Sequence, residues 1–413
     1  MDSSIPPFPP EHAGSFSSLK RDNSESIRVD RPVAEPVAIA SLRQLETPHA
    51  VVDGARLHHN IDRVAQYARD HQLALRPHAK THKDPAVGAL QLEAGAQGLT
   101  VATTREAEVM ATVCKDVLVA FPPVDPGRID RLLEIPATTR LSIALDSKEA
   151  LRLLQARAKK RGLEGKLGIF VEIDLGGKRT GVQNPQDACA IALDAHQDEL
   201  TEFKGILVFF GHIDARPQAA NEATTDGAKA GLSISQQLAG VSARLEEYLA
   251  HFRARGIACP IVSGGSTPTL FSSHLIPELT EIRPGSYVYC DRDIASQGSF
   301  EWDDCAYSIL ATVISVAVPH QAVVDAGAKT VGREPLPGLP GFGALFDRPE
   351  VVLKEMSEEH GILDLSKTDW KPRVGDRVRI IPNHVCISVH LQDRIAFAES
   401  GELTLRDVAA RGR

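Results

Sequence analysis

The chain has 413 residues, 43% hydrophobic and 24% charged, the balance of a globular protein that buries its own core. At roughly 150 residues per domain, this length admits two to three domains. Lys+Arg 46 against Asp+Glu 54 leaves a net charge of −8, which offers no basic face for nucleic acid, and no apolar run reaches the ~18 residues of a membrane span.

Residues 1 to about 45 are rich in Ser, Pro and charge. Their hydrophobic density is too low to offset the entropy lost on ordering, so a mobile tail is expected. Asp2, Pro6, Pro7, Pro9, Pro10 and Glu11 stand where a secretory signal would need a basic and then an apolar stretch, so none is expected. The run at 47–53 reads as a short strand. Leu57, Ile61, Val64 and Ala68 fall at helical spacing, which predicts a helix over 55–70. Apolar runs then recur at 73–80, 98–102, 117–121, 141–145, 168–174, 205–210, 260–265 and 279–282. Helical patterns such as 105–113, 147–160 and 234–256 separate most of them. Eight strands alternating with helices predict a (β/α)8 TIM-type barrel over 46–295, with an open doubly wound sheet as the competing architecture. The segments 305–320, 322–326, 375–382, 384–391 and 394–398 read as strands, so 296–413 is expected to be a mostly β second domain, which strand 47–53 also fits. The six cysteines, Cys114, Cys189, Cys259, Cys290, Cys305 and Cys386, are scattered and form no CxxC. A disulfide framework is not expected, and a reducing, cytoplasmic compartment is.

In such barrels the active site lies at the carboxyl ends of the strands. Strand one there ends in Arg76-Pro77-His78-Ala79-Lys80-Thr81-His82-Lys83. Lys80, partly desolvated among Arg76, His78, His82 and Lys83, would be a nucleophile towards an aldehyde, although the run alone also fits a solvated cationic loop. Gly264, Gly265, Ser266 and Thr267 follow strand seven, where barrels commonly bind phosphate; a plain helix-capping turn is the other reading. Lysine and phosphate loop together suggest pyridoxal phosphate. No GxGxxG follows an early strand, which argues against a nicotinamide enzyme. His384 and Cys386 stand at i and i+2 and, on a strand, share a face, so both can reach one divalent ion such as Zn²⁺ or Mn²⁺. A buried Cys beside an ordinary His is the plainer alternative. His212 follows strand six and is a candidate general base, or a structural histidine.

The runs RPHAKTHK (76–83), KRTGV (178–182), FFGH (209–212), VSGGSTPT (262–269), TEIRPGSYVY (280–289), SEEHG (357–361) and IPNHVCISVHLQD (381–393) resemble the metal-dependent D-threonine aldolases. These group with the D-serine dehydratases among the alanine-racemase-like, fold-type III pyridoxal phosphate enzymes. The resemblance spans about 48–400. It implies Lys80 as the cofactor lysine, Arg179 on the ring-oxygen side, Gly264 to Thr267 as the phosphate loop with Tyr287 nearby, His384 and Cys386 as metal ligands, and His212 as the base. It also implies a homodimer acting on small D-amino acids, with no nucleic-acid or membrane partner. Some aldolases carry Asp where this chain has Cys386, a residue type also found in D-serine dehydratases. The expected reaction is cleavage of D-threonine and related D-3-hydroxy-amino acids to glycine and an aldehyde. The alternative is a dehydratase giving a 2-oxo acid and ammonia. A pyridoxal phosphate-binding homeostasis protein is the non-catalytic alternative, and the β domain with its HVC pair argues against it.

Overall fold

The computed structural model describes residues 36–39, 41–213, 232–399 and 401–412. Most of the expected tail lies outside this set, but Val37–Ile39 pairs antiparallel with residues 403–405, so ordered pairing starts before the expected boundary at 45. Among the described residues, no helix is long and apolar enough to cross a membrane. All six cysteines are free.

Among the described residues, eight parallel strands form one sheet in consecutive order, from Leu99–Val101 round to Glu281–Ile282 and Ala74–Leu75. The first and second strands close the ring through a single bridge, His78 to Thr100, with Thr100 N–H on the Pro77 carbonyl at 2.8 Å and Ala79 N–H on the Thr100 carbonyl at 2.8 Å. The barrel expectation therefore holds. Each return helix starts on a side-chain cap that accepts an orphan N–H of its first turn: Asp84, Thr103, Asp125, Ser147, Asn184 and Ser233. The helix Gly54–Asp70 buries Leu57, Ile61, Val64 and Ala68, the spacing read from the sequence.

The first barrel strand is shorter than its apolar run. Only Ala74–Leu75 pairs as a strand, because Pro77 lacks an N–H for a ladder. Beyond it the chain turns, closed by Lys83 N–H on the Ala79 carbonyl at 2.8 Å, and this turn carries Lys80.

The second sheet gathers strands from both ends of the chain. Tyr307–Ser315, Gln321–Val324, Gly361–Asp364, Arg348–Met356, Gly343–Leu345 and Arg377–Pro382 close into an antiparallel barrel. His49–Asp53 extends it, antiparallel to Tyr307–Ser315 and parallel to Arg394–Glu399. One expected strand is a helix. Residues 384–391 form Val385–Leu391, which buries Val385, Ser388 and Val389 at i, i+3 and i+4. Ser388 hides this pattern from a hydrophobicity reading, yet its hydroxyl is buried between Tyr307 Oη (3.0 Å) and the Thr330 carbonyl (2.9 Å).

Candidate active site

A cavity of about 980 Å³ opens at the carboxyl ends of the barrel strands. Lys80, Arg179, His212, Gly265, Ser266, Thr267, His384 and Cys386 all line it. Residues more than 300 positions apart in sequence thus share one chamber.

The basic run around Lys80 is not the cationic cluster that its sequence implies. Arg76 is buried, with Nε 2.8 Å from Glu281 and Nη1 2.6 Å from Asp116. Lys83 points away into a buried ion pair with Glu106, whose other oxygen accepts Ala102 N–H at 2.6 Å. Burial pushes His82 down to about 4, against hydrogen bonds to Asp84 and Gln91. Only His78 and Lys80 of this group face the cavity. Burial first, then the charges of Lys80 and Arg283, hold His78 well below the usual histidine range, so it is neutral.

The loop after strand seven lines the same cavity. Gly265 sits at φ +92, a left-handed conformation that side chains rarely adopt. Ser266 Oγ lies 3.1 Å from Thr269 Oγ1, and Thr267 Oγ1 accepts Gly285 N–H at 3.3 Å. Gly264 ends the strand behind the loop and does not line the cavity. Tyr287 does not line it either. Its side chain is fully buried, and its hydroxyl accepts from Gln91 Nε2 at 2.9 Å. The SEEHG run connects two strands of the second sheet and is likewise not among the lining residues.

Arg283, Gly285 and Ser286, which follow strand eight, and Glu172 also line the cavity, beyond the site residues expected above. Arg283 is buried, with Nε on Ser263 Oγ (2.9 Å) and Nη2 on the Val208 carbonyl (2.8 Å). Burial pushes its guanidinium down to about 10, still charged at neutral pH. Gly285 and Ser286 complete the wall beside it. The strand-end rule that selected Lys80 also points to Arg283, directly after Glu281–Ile282. Glu172 accepts from Thr180 Oγ1 at 2.7 Å and lies 3.7 Å from Arg179, whose guanidinium also stacks 4.6 Å over Phe209.

His384 and Cys386 converge on the cavity by a different route from the one expected. They do not alternate along a strand: His384 is the extended N-cap residue, and Cys386 lies in the first turn, of Val385–Leu391. Burial opposes charge on His384, but the Cys386 thiolate and Asp291 outweigh it and raise the imidazole to about 11. Burial would raise the Cys386 thiol, but His384, Lys80 and Thr81 together lower it. Each residue thus shifts the other towards its charged form, and an imidazole nitrogen beside a thiol sulfur is a donor set that could hold a divalent metal. Among the described residues no third His, Cys, Asp or Glu joins them, which leaves open positions of the kind a catalytic metal uses. His212 faces the same chamber. Gly176 admits it, since a Cβ there would stand 3.1 Å from His212 Nε2.

Comparison with known proteins agrees with this geometry. Residues 52–293 match the family described as "Alanine racemase, N-terminal domain". The chain belongs to that family. Residues 306–398 match a second family, "Putative serine dehydratase domain". The chain is 32% identical to 3-hydroxy-D-aspartate aldolase of Paracoccus denitrificans (strain Pd 1222), over 90% of this chain and 93% of that protein. It is 33% identical to D-threo-3-hydroxyaspartate dehydratase of Delftia sp. (strain HT23), over 84% and 92%. The solved D-threonine aldolase from Filomicrobium marinum superposes with a TM-score of 0.77 at 27% identity, over 92% of this chain and 99% of that one.

Proposed function

We propose that this chain is a pyridoxal phosphate- and divalent-metal-dependent lyase that cleaves D-threonine and related D-3-hydroxy-amino acids to glycine and an aldehyde. The observation that carries the reading is convergence: Lys80, the Gly265 to Thr267 loop and the His384–Cys386 pair line one cavity. The residues fit the cofactor. An amine, a loop with backbone N–H groups and hydroxyls, and two guanidinium groups line the same chamber. They fit a metal because the His384 imidazole and the Cys386 thiol stand together at the cavity, two donors that suit a divalent ion.

Pyridoxal phosphate, when bound, supplies an electron sink for charge developing at Cα, and a metal on His384 and Cys386 lowers the pKa of a bound hydroxyl. Lys80 would offer the amine that holds the cofactor's aldehyde. Gly265, Ser266 and Thr267, with Gly285 and Ser286, would hold the phosphate. Arg179, held by Glu172 and Phe209, would stand by the ring oxygen. His212 accepts the proton of the β-hydroxyl as the Cα–Cβ bond breaks. The neutral His78 keeps further positive charge away from Lys80.

Product analysis tests the reading. The purified protein is supplied with pyridoxal phosphate, Mn²⁺ or Zn²⁺, and separately D-threonine, L-threonine and D-serine. Glycine and acetaldehyde from D-threonine alone are expected. Pyruvate and ammonia from D-serine would overturn the aldolase in favour of a dehydratase built on the same parts. The 33% identity to the Delftia dehydratase favours that second reading. By the resemblance, the enzyme is further inferred to be a homodimer, checked by sedimentation. Its six free cysteines suit the cytoplasm.

A further inference from the structure

His384 and Cys386 sit on the second domain, yet both lean on the barrel. His384 Nδ1 lies 3.3 Å from Asp291 Oδ2. The same oxygen accepts the N–H of Val385, the residue between the two, at 2.9 Å. The other Asp291 oxygen accepts Ile294 N–H at 2.9 Å, and the side chain is fully buried. On the thiol side, Thr81 Oγ1 lies 3.2 Å from Cys386 Sγ. Thr81 is also fully buried and directly follows Lys80.

We propose, resting on the metal reading above, that Asp291 and Thr81 are positioning residues of the metal site, so that the barrel sets the geometry of ligands carried by the second domain. The physical reason is directional. A buried carboxylate that accepts a hydrogen bond from His384 Nδ1–H fixes the ring and leaves the lone pair on Nε2 for the ion. A hydroxyl donated to the Cys386 thiolate holds its rotamer and draws off part of its charge. Because Asp291 also grips the Val385 N–H, it locks the backbone between the two ligands. A helix cap alone would use the Ile294 contact and nothing more. Thr81 further ties the metal thiolate to the turn that carries Lys80, so cofactor and metal share one rigid mount.

The test is Co²⁺ titration of the full chain loaded with pyridoxal phosphate. It compares wild type with Asp291→Asn, Thr81→Val and Thr81→Ser, reading the dissociation constant and the sulfur-to-cobalt absorbance band. Thermal melting of the metal-free proteins reports the fold. Asp291→Asn and Thr81→Val are each expected to weaken Co²⁺ about 10–100-fold and to shift or lose the band. Thr81→Ser, which keeps the hydroxyl, is expected to restore both. Unchanged affinity and band in both disruptive variants, with only the melting temperature lowered, would overturn the inference. If Asp291→Asn does not fold, the two Thr81 variants decide it. A wild-type chain that takes up no Co²⁺ sinks the metal reading itself, and this inference with it.

Discussion

Two stretches of chain meet at the cavity, and they treat charge in opposite ways. Residues 76–83 look like a dense cationic patch, yet most of that charge is absorbed into the barrel wall. Arg76 and Lys83 are each taken by buried carboxylates, and His78 and His82 are held neutral by burial. At 384–386 burial opposes charge on both residues, yet each shifts the other towards its charged form. A run of like charges in sequence is thus no measure of charge in space. What counts is the partner that the fold brings from elsewhere.

This contrast can be broken experimentally. The largest effect is expected at Lys80, the one lysine of the run that faces the cavity. Lys80→Ala should abolish the absorbance band near the visible edge given by lysine-bound cofactor and lower turnover on the order of 10⁴-fold. An unchanged spectrum would sink the assignment. Next is Lys83→Met, which leaves Glu106 buried without its cation. It should lower stability by about 3–5 kcal/mol in urea unfolding. A variant of native stability that loses cofactor instead would place Lys83 with Lys80 in the site.

Asp84 is the reverse case in the same loop: a buried carboxylate whose nearest cation, Arg406, stands 3.9 Å away. Burial raises it from 3.8 to about 6. The folded state therefore holds this proton more tightly than the unfolded chain. Stability falls as pH rises from about 4 to about 6 and stays lower above that range. Asp84→Asn keeps the cap on Ala86 and should stabilise the protein at pH 8 by about 1–3 kcal/mol, with the gain gone near pH 4. Equal melting temperatures for the two proteins at pH 8 would refute this sign. The smallest effect is expected from Tyr287→Phe. Losing its buried bond to Gln91 should cost about 1 kcal/mol and leave cofactor affinity unchanged. A clear loss of cofactor affinity would return Tyr287 to the site.

Much of the site is legible because barrels place chemistry at strand ends. That rule singles out Lys80, Arg179, His212, Gly265, Ser266 and Thr267, and all of them line the cavity. Gly264 and Tyr287 are not among the lining residues: Gly264 ends its strand, and the Tyr287 ring is buried with its hydroxyl on Gln91. The rule also reaches Arg283, Gly285 and Ser286, which follow strand eight and line the cavity. Asp291 and Thr81 carry no signal of their own, since their roles exist only through contacts with residues 93 and 305 positions away.

The amino-acid sequence by itself determined the alternation of strand and helix, the caps that start the helices, and the order in which the chemical groups arrive. These are local properties, set by periodicity and by side chains within four residues of the backbone groups they satisfy. Tertiary structure alone decided that His384 and Cys386 ride a helical turn, and which of the basic residues beside Lys80 remain at the site. Those outcomes depend on contacts between distant segments, and it is burial beside a specific partner that fixes both where a side chain points and whether it carries charge.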